Sequence, residues 1–141
     1  MDYTQLTAPC GRDCFNCPLY IAKDNERLQR FVTKKMGIQF EQAVCQGCRN
    51  EKGVIPFLKE RGTCNIFRCA ADKDVTFCFK CSDFPCDLLH PVADRAAEFP
   101  HNLKVFNLLL IQKMGLETWA KEKAKKASDT YFRKKLEELF M

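Results

Sequence analysis

Cysteine is the residue type in this sequence whose number and spacing could do chemistry. The chain has 10 cysteines in 141 residues, and all of them lie between positions 10 and 86. Three pairs have the C-x2-C spacing, which lets one tight turn present two sulfurs to a single metal ion. These pairs are Cys14 with Cys17, Cys45 with Cys48, and Cys78 with Cys81. Three such pairs, with four further cysteines close by, are a strong indication of metal binding.

Zinc is the metal that this pattern favours, because a closed zinc site takes four ligands in a tetrahedron and ten cysteines provide two such sets. We expect one set to be Cys14, Cys17, Cys45 and Cys48, and the other to be Cys69, Cys78, Cys81 and Cys86. Cys10 and Cys64 are then reserve ligands, and so is His90, which follows Cys86 at a spacing found among zinc ligands. The spacing does not fix which cysteines share one ion.

Iron is the alternative metal, because thiolates also hold iron–sulfur clusters. Cys10, Cys14 and Cys17 have the C-x3-C-x2-C spacing by which radical SAM enzymes hold a [4Fe–4S] cluster. Those enzymes need a large barrel and a glycine-rich SAM-binding segment, which this short sequence lacks. A small iron–sulfur electron carrier stays open as a function, and so does a redox sensor that uses Cys10 or Cys64.

Catalysis by zinc has little support in the residue types present. A catalytic zinc site keeps an open position beside a histidine or carboxylate ligand. The chain has only two histidines, and no Asp or Glu stands at an obvious ligand or acid–base spacing. We therefore expect a non-enzymatic protein, with cysteine chemistry as the open alternative.

The N-terminal segment bears on whether the cysteines are reduced. The first ten residues, MDYTQLTAPC, show neither the basic nor the apolar region of a signal peptide. The densest apolar stretch, residues 105–111, is far too short to span a membrane. We expect a protein of the cytoplasm, where thiols stay reduced and metal ligation is favoured over disulfides.

The elements that must position these cysteines are predicted from the spacing of apolar residues. Residues 18–36 have helical spacing that stops at Gly37, and residues 75–79 have the composition of a short strand. Residues 102–114 are predicted to be helical, with an apolar stripe of Leu103, Phe106, Leu110 and Met114. Ser128 is the predicted N-cap of a last helix. We expect an α+β fold, mainly helical with short strands or hairpins, in which the metal-bound part packs on the C-terminal helices.

The net charge of +5 is concentrated at the C-terminal end. Residues 101–141 carry nine Lys or Arg against five Asp or Glu, whereas residues 1–100 carry fourteen against thirteen. We expect a cysteine-rich part, 1–100, and a basic amphipathic helical tail, 101–141, as two layers of one domain. The basic tail would suit an unknown protein partner or, with weaker support, nucleic acid, because four glutamates dilute its charge. The sequence does not indicate the oligomeric state.

Four cysteine motifs follow one another along the chain. They are APCGRDCFNCP at 8–18, CQGCR at 45–49, CNIFRCA at 64–70 and CFKCSDFPCDL at 78–88. This series resembles the DUF3795 family, a group of uncharacterised small cysteine-rich prokaryotic proteins, and the resemblance continues more weakly through residues 107–119. It implies zinc binding and no particular activity. Some members of the family end in a further C-x2-C ribbon, which this chain lacks.

Overall fold

The computed structural model describes residues 1–141 and is built mainly from short helices. The six α-helices are α1 (Pro18–Ala22), α2 (Glu26–Met36), α3 (Asn65–Asp72), α4 (Lys104–Met114), α5 (Leu116–Glu122) and α6 (Ala124–Arg133). The 3-10 helices are Cys14–Asn16, Phe40–Gln42, Pro56–Arg61, Cys78–Lys80, Asp87–Leu89, His101–Leu103 and Leu136–Phe140. None of the helices has the length and apolar character needed to cross a membrane.

The predicted α+β fold with short strands or hairpins is wrong, because the chain forms no sheet. Its β pairing is a single isolated antiparallel bridge between Thr7 and Asp13. The cysteine-rich part is instead made of turns and single helical turns, which present the thiols without any strand. The fold is therefore mainly helical.

The segment 75–79 is the clearest case of a predicted strand that does not form. Its backbone amides bond to other parts of the chain: Val75 donates to the carbonyl of Ala70 at 3.0 Å, and Cys78 donates to the carbonyl of Pro9 at 2.9 Å. The first bond closes the end of α3, and the second attaches the segment to the first cysteine motif. These two bonds attach the segment to a helix end and to a loop, and no neighbouring strand pairs with it.

The predicted helix over residues 18–36 is divided into α1 and α2. Asn25 starts the second helix, because its side-chain oxygen accepts a hydrogen bond from the amide of Leu28 at 3.0 Å. Gly37 ends α2, as predicted, in the left-handed conformation with a φ of 64°. Leu19 of α1 and Val32 of α2 pack together with Ala43 in a small cluster.

The buried face of α4 differs from the predicted stripe. Asn107, Leu108 and Ile111 are its buried residues, whereas Phe106 is 50% exposed. The predicted cap, Ser128, lies inside α6 rather than at its start. The buried face differs from the predicted one because α4 packs against the cysteine-rich part through residues that include the polar Asn107.

Two clusters of buried side chains join the C-terminal helices to the rest of the chain. In the first, Trp119 is fully buried and meets the ring of Phe15 edge-on, with the ring centroids 6.0 Å apart. In the second, Leu108 of α4 packs with Cys10 and Ile66. The cysteine-rich part and the basic tail therefore share their core.

A close contact between Gly11 and α4 connects the first cysteine motif to the helices. Gly11 has a φ of +88°, and a Cβ at this position would lie 2.9 Å from the carbonyl oxygen of Lys104 and 3.0 Å from Cγ of Leu108. The side chain of Asn107, which is 1% exposed, donates a hydrogen bond to the carbonyl of Gly11 at 2.9 Å. The turn of the C-x3-C motif therefore lies directly on α4.

Candidate metal centres

Four cysteines of the later motifs line one small cavity of about 30 Å³. They are Cys69, Cys78, Cys81 and Cys86, and we call them the closing group. Cys69 lies on α3, Cys78 and Cys81 lie at the two ends of one helical turn, and Cys86 precedes the next helical turn. Nearly all other lining residues are apolar. These four lining residues are those of the second predicted set, and the ion predicted for them stays a prediction.

The sulfur of Cys81 receives two hydrogen bonds. The amide of Asp83 donates to it at 3.4 Å, and the ammonium group of Lys73 donates to it at 3.5 Å. Lys73 also pairs with the carboxylate of Asp83 at 2.7 Å, and these two interactions raise the pKa of Lys73 above its ordinary value. Donors of this kind stabilise a thiolate, as they do around metal ligands in proteins.

The other six cysteines form a second, larger neighbourhood, which we call the opening group. Its members are Cys10, Cys14, Cys17, Cys45, Cys48 and Cys64. Burial raises the pKa of Cys48, and Cys10, Cys14 and Cys64 lie close enough that a thiolate charge on each would raise it further. Cys17 and Cys14 have the same effect on Cys45. Cys64 therefore lies beside the first predicted set, whereas Cys10 lies between the two groups, since its thiolate charge would also raise the pKa of Cys78.

Backbone amides also approach the sulfurs of the opening group. The amide of Gly47 donates to the sulfur of Cys45 at 3.4 Å, within one C-x2-C turn. The amide of Cys48 donates to the sulfur of Cys14 at 3.4 Å, which connects two motifs that are 34 residues apart. The first two C-x2-C pairs are thus held side by side.

Burial makes the charged form of several thiols unfavourable. It raises the pKa of Cys14 to about 11 and the pKa of Cys45 and Cys78 to about 12, with neighbouring thiolates adding to the effect in each case. Without a cation, these groups are therefore neutral near pH 7. A divalent ion among them would lower these pKa values, because its positive charge favours the thiolate over the neutral thiol.

The cysteines are free thiols in the structure. No group of three or more Cys, His, Asp or Glu side chains is arranged so that it could hold a metal ion. Because a cysteine sulfur moves between staggered positions by rotation about one bond, ligation would require such rotations within each group. The fit to zinc rests on the donor chemistry, which is a set of soft sulfurs with apolar surroundings and amide donors.

His90, the reserve nitrogen ligand, lies on the surface. Its ring Nδ1 is 2.7 Å from the carbonyl oxygen of Pro91. Leu88 and Leu89 line the cavity of the closing group, but His90 does not. The structure therefore places this side chain apart from the cysteines.

Gly53 is a residue of the site that the sequence analysis missed. Its amide donates to the carbonyl of Cys48 at 2.9 Å, and its carbonyl accepts from the amide of Cys64 at 2.8 Å. With a φ of +79°, it brings these two cysteines together across the loop between them. Phe67 of α3 covers Gly53 closely, since a Cβ there would lie 2.6 Å from the ring. No local spacing signals this contact, because it depends on a helix further along the chain.

Arg49 is the second residue that was missed, although it lies in the CQGCR motif. It donates through Nε to the carbonyl of Thr7 at 2.8 Å and through Nη2 to the carbonyl of Thr76 at 2.6 Å. Its guanidinium also lies 5.1 Å from the ring centre of Phe77. Burial lowers the pKa of Arg49, while Cys48 and other thiols of both groups, if ionised, would raise it. This arginine therefore places positive charge between the opening and closing groups.

The comparisons with known proteins agree with the order of the cysteine motifs. A family model described as "Protein of unknown function (DUF3795)" matches residues 6–91, which is more than half of the chain and includes every cysteine. No curated protein and no solved structure matched the chain. The resemblance read from the four motifs is confirmed, and the chain belongs to the DUF3795 family.

Proposed function

We propose that this chain is a zinc-binding protein of the cytoplasm with two structural four-cysteine sites. Zinc at these sites stabilises the fold of the cysteine-rich part, and the protein serves as an interaction module. The observation that carries the proposal is the closing group, whose four thiols surround one small, largely apolar cavity. Four thiolate ligands from the protein, which leave no position for water, are typical of a structural zinc site. The role of each of these thiols is to bind one ion as a thiolate.

The second ion is assigned to the opening group. Cys14, Cys17, Cys45 and Cys48 are the proposed ligands, since amide donors already reach two of their sulfurs. Cys10 and Cys64 are reserve ligands, because both lie near Cys48. Bound zinc would supply a cross-link between distant motifs and the positive charge that buried thiolates need.

The small size of the core supports a structural role for the metal. Only 24 of the 141 residues are buried, and the cysteine-rich part contains three short α-helices joined by loops. Loops with little buried apolar surface of their own gain stability from a metal ion that cross-links them. Zinc bound to the two groups would provide it.

The experiment is to count zinc atoms in a variant that lacks part of the closing group. We expect about two zinc ions per chain for the unaltered protein and about one for the double variant Cys81→Ser/Cys86→Ser, because serine is a poor zinc ligand. Ser82→Ala is the matched control, since Ser82 is exposed between the same two cysteines and should leave the count unchanged.

Three results would count against the proposal. A double variant that keeps the full zinc content would remove the closing group as a site. Iron and sulfide in place of zinc, with visible absorption, would make the chain an iron–sulfur protein. Loss of zinc in the Ser82→Ala control would show that the count depends on general disruption rather than on ligands.

A further inference from the structure

A groove with an apolar floor runs between α4 and the segment that follows α6. Its volume is about 610 Å³. Its floor includes Leu103, Phe106, Leu110, Tyr131, Leu136 and Leu139. Its rim carries Lys123, Lys126, Lys134 and Lys135. We call this surface the basic groove.

The lysines of the basic groove form no ion pairs with the residues that line it. No Asp or Glu is among its lining residues, and none of its four lysines takes part in an ion pair. On the neighbouring surface of α5 and α6 the opposite holds, since Lys121 pairs with Glu117 and Lys125 with Asp129 at 3.1 Å. Lys126 and Lys134 border both surfaces, because they also lie beside Glu122, Asp129 and Glu138. Lys123 and Lys135 belong to the groove side alone.

The floor of the groove leaves large apolar side chains in contact with solvent. Phe106 is 50% exposed, Leu136 is 71% exposed and Leu139 is 62% exposed. A contiguous apolar surface with a polar rim is typical of a binding site rather than of ordinary solvent-exposed surface. Its occupant must have apolar groups for the floor and negative charge for the rim.

We propose that the basic groove binds an acidic amphipathic helix of a partner protein. Apolar side chains on one face of such a helix would contact the floor, and carboxylates on its flanks would pair with the four lysines. A helix fits better than single-stranded nucleic acid, because bases need aromatic faces on which to stack and most of this floor is leucine. The inference rests on the proposed function, for which it names the partner class.

The probe is a fluorescein-labelled peptide of about 16 residues with leucines at i, i+3, i+4 and i+7, the spacing that aligns apolar groups on one helix face. A few glutamates flank the leucines and alanines fill the other positions, so that like charges do not destabilise the helix. Fluorescence anisotropy should give a Kd below roughly 100 µM at low salt. A peptide of the same composition with scattered leucines is the control and should bind at least about tenfold more weakly.

Two pairs of variants separate the groove from general charge attraction. Lys123→Gln/Lys135→Gln should weaken binding by about tenfold, whereas Lys121→Gln/Lys125→Gln removes the same charge outside the groove and should weaken it by less than about twofold. Leu136→Ser/Leu139→Ser should also weaken binding by at least about tenfold, through loss of apolar contact. Both leucines are exposed, so these changes leave the core intact.

Equal binding of the two peptides would overturn the inference, and so would equal losses from the two lysine pairs. Tighter binding of a fluorescent oligothymidylate, which is lost in the lysine variant but kept in the leucine variant, would make the groove a nucleic-acid surface instead.

Zinc is measured on the same samples. About two zinc ions per chain without peptide binding would overturn the groove inference alone, whereas peptide binding by zinc-free protein would support the groove and count against the metal proposal.

Discussion

Treatment of the metal-loaded protein with a zinc chelator is expected to lower its melting temperature by at least about 15 °C. The free energy of metal binding at structural zinc sites is largely free energy of folding, because the site does not exist in the unfolded chain. The loss should extend to the C-terminal helices, since they share core clusters with Cys10 and Phe15. Circular dichroism during heating measures this change.

Trp119 provides a local readout of the same experiment. It is the only tryptophan, it is fully buried, and it packs against Phe15 of the first cysteine motif. Chelation should therefore shift its fluorescence to longer wavelength, and added zinc should restore it. The same chelator already saturated with zinc is the control, and it should change neither the melting temperature nor the emission. An unchanged melting temperature and emission in protein shown to be zinc-free would contradict a structural role for the metal.

Gly53→Ala is expected to reduce the free energy of unfolding by about 3 kcal/mol and to lower the zinc content of the opening group. The added Cβ would lie 2.6 Å from the Phe67 ring and 2.8 Å from Cβ of Phe67. Side-chain rotation cannot relieve the second contact, so the loop that joins Cys48 to Cys64 must move. Urea unfolding followed by circular dichroism, together with zinc analysis, measures both effects.

Gly37→Ala is the matched control for this substitution. Gly37 has a φ of 64° and a ψ of 35°, the ordinary left-handed conformation, and a Cβ there would have nothing within 4 Å. The free energy of unfolding of this control variant should therefore fall by only about 1 kcal/mol, the cost of a positive φ for alanine, and its zinc content should not change. If the two alanine variants lost equal stability and equal zinc, Gly53 would have no particular role in holding the cysteines together.

The common cavity of the later cysteines could be anticipated, because their positions depend on a short stretch of chain. Cys78, Cys81 and Cys86 lie within nine residues, and Cys69 is brought to them by a turn at the end of α3. The composition of the opening group was harder to predict, because its motifs are joined by contacts such as those of Gly53 and Arg49. Those contacts depend on residues that are distant in sequence.

The wrong predictions about the fold also arise from contacts between residues that are distant in sequence. Residues 75–79 have β-forming side chains, but their amides bond to α3 and to the first cysteine motif, and tertiary context overrides local propensity. Asn107 interrupts the apolar pattern of α4, yet it is buried because its amide bonds to Gly11, 96 residues away. Gly37 was predicted correctly as the end of α2, because that signal is local.

Metal content is the measurement that tests the central claim most directly. The protein should be purified anaerobically without added metal, analysed for its elements, and scanned for visible absorption. We predict about two zinc ions per chain and no visible band. Iron and sulfide with a broad band near roughly 400 nm would contradict the zinc sites, and so would protein that contains neither metal.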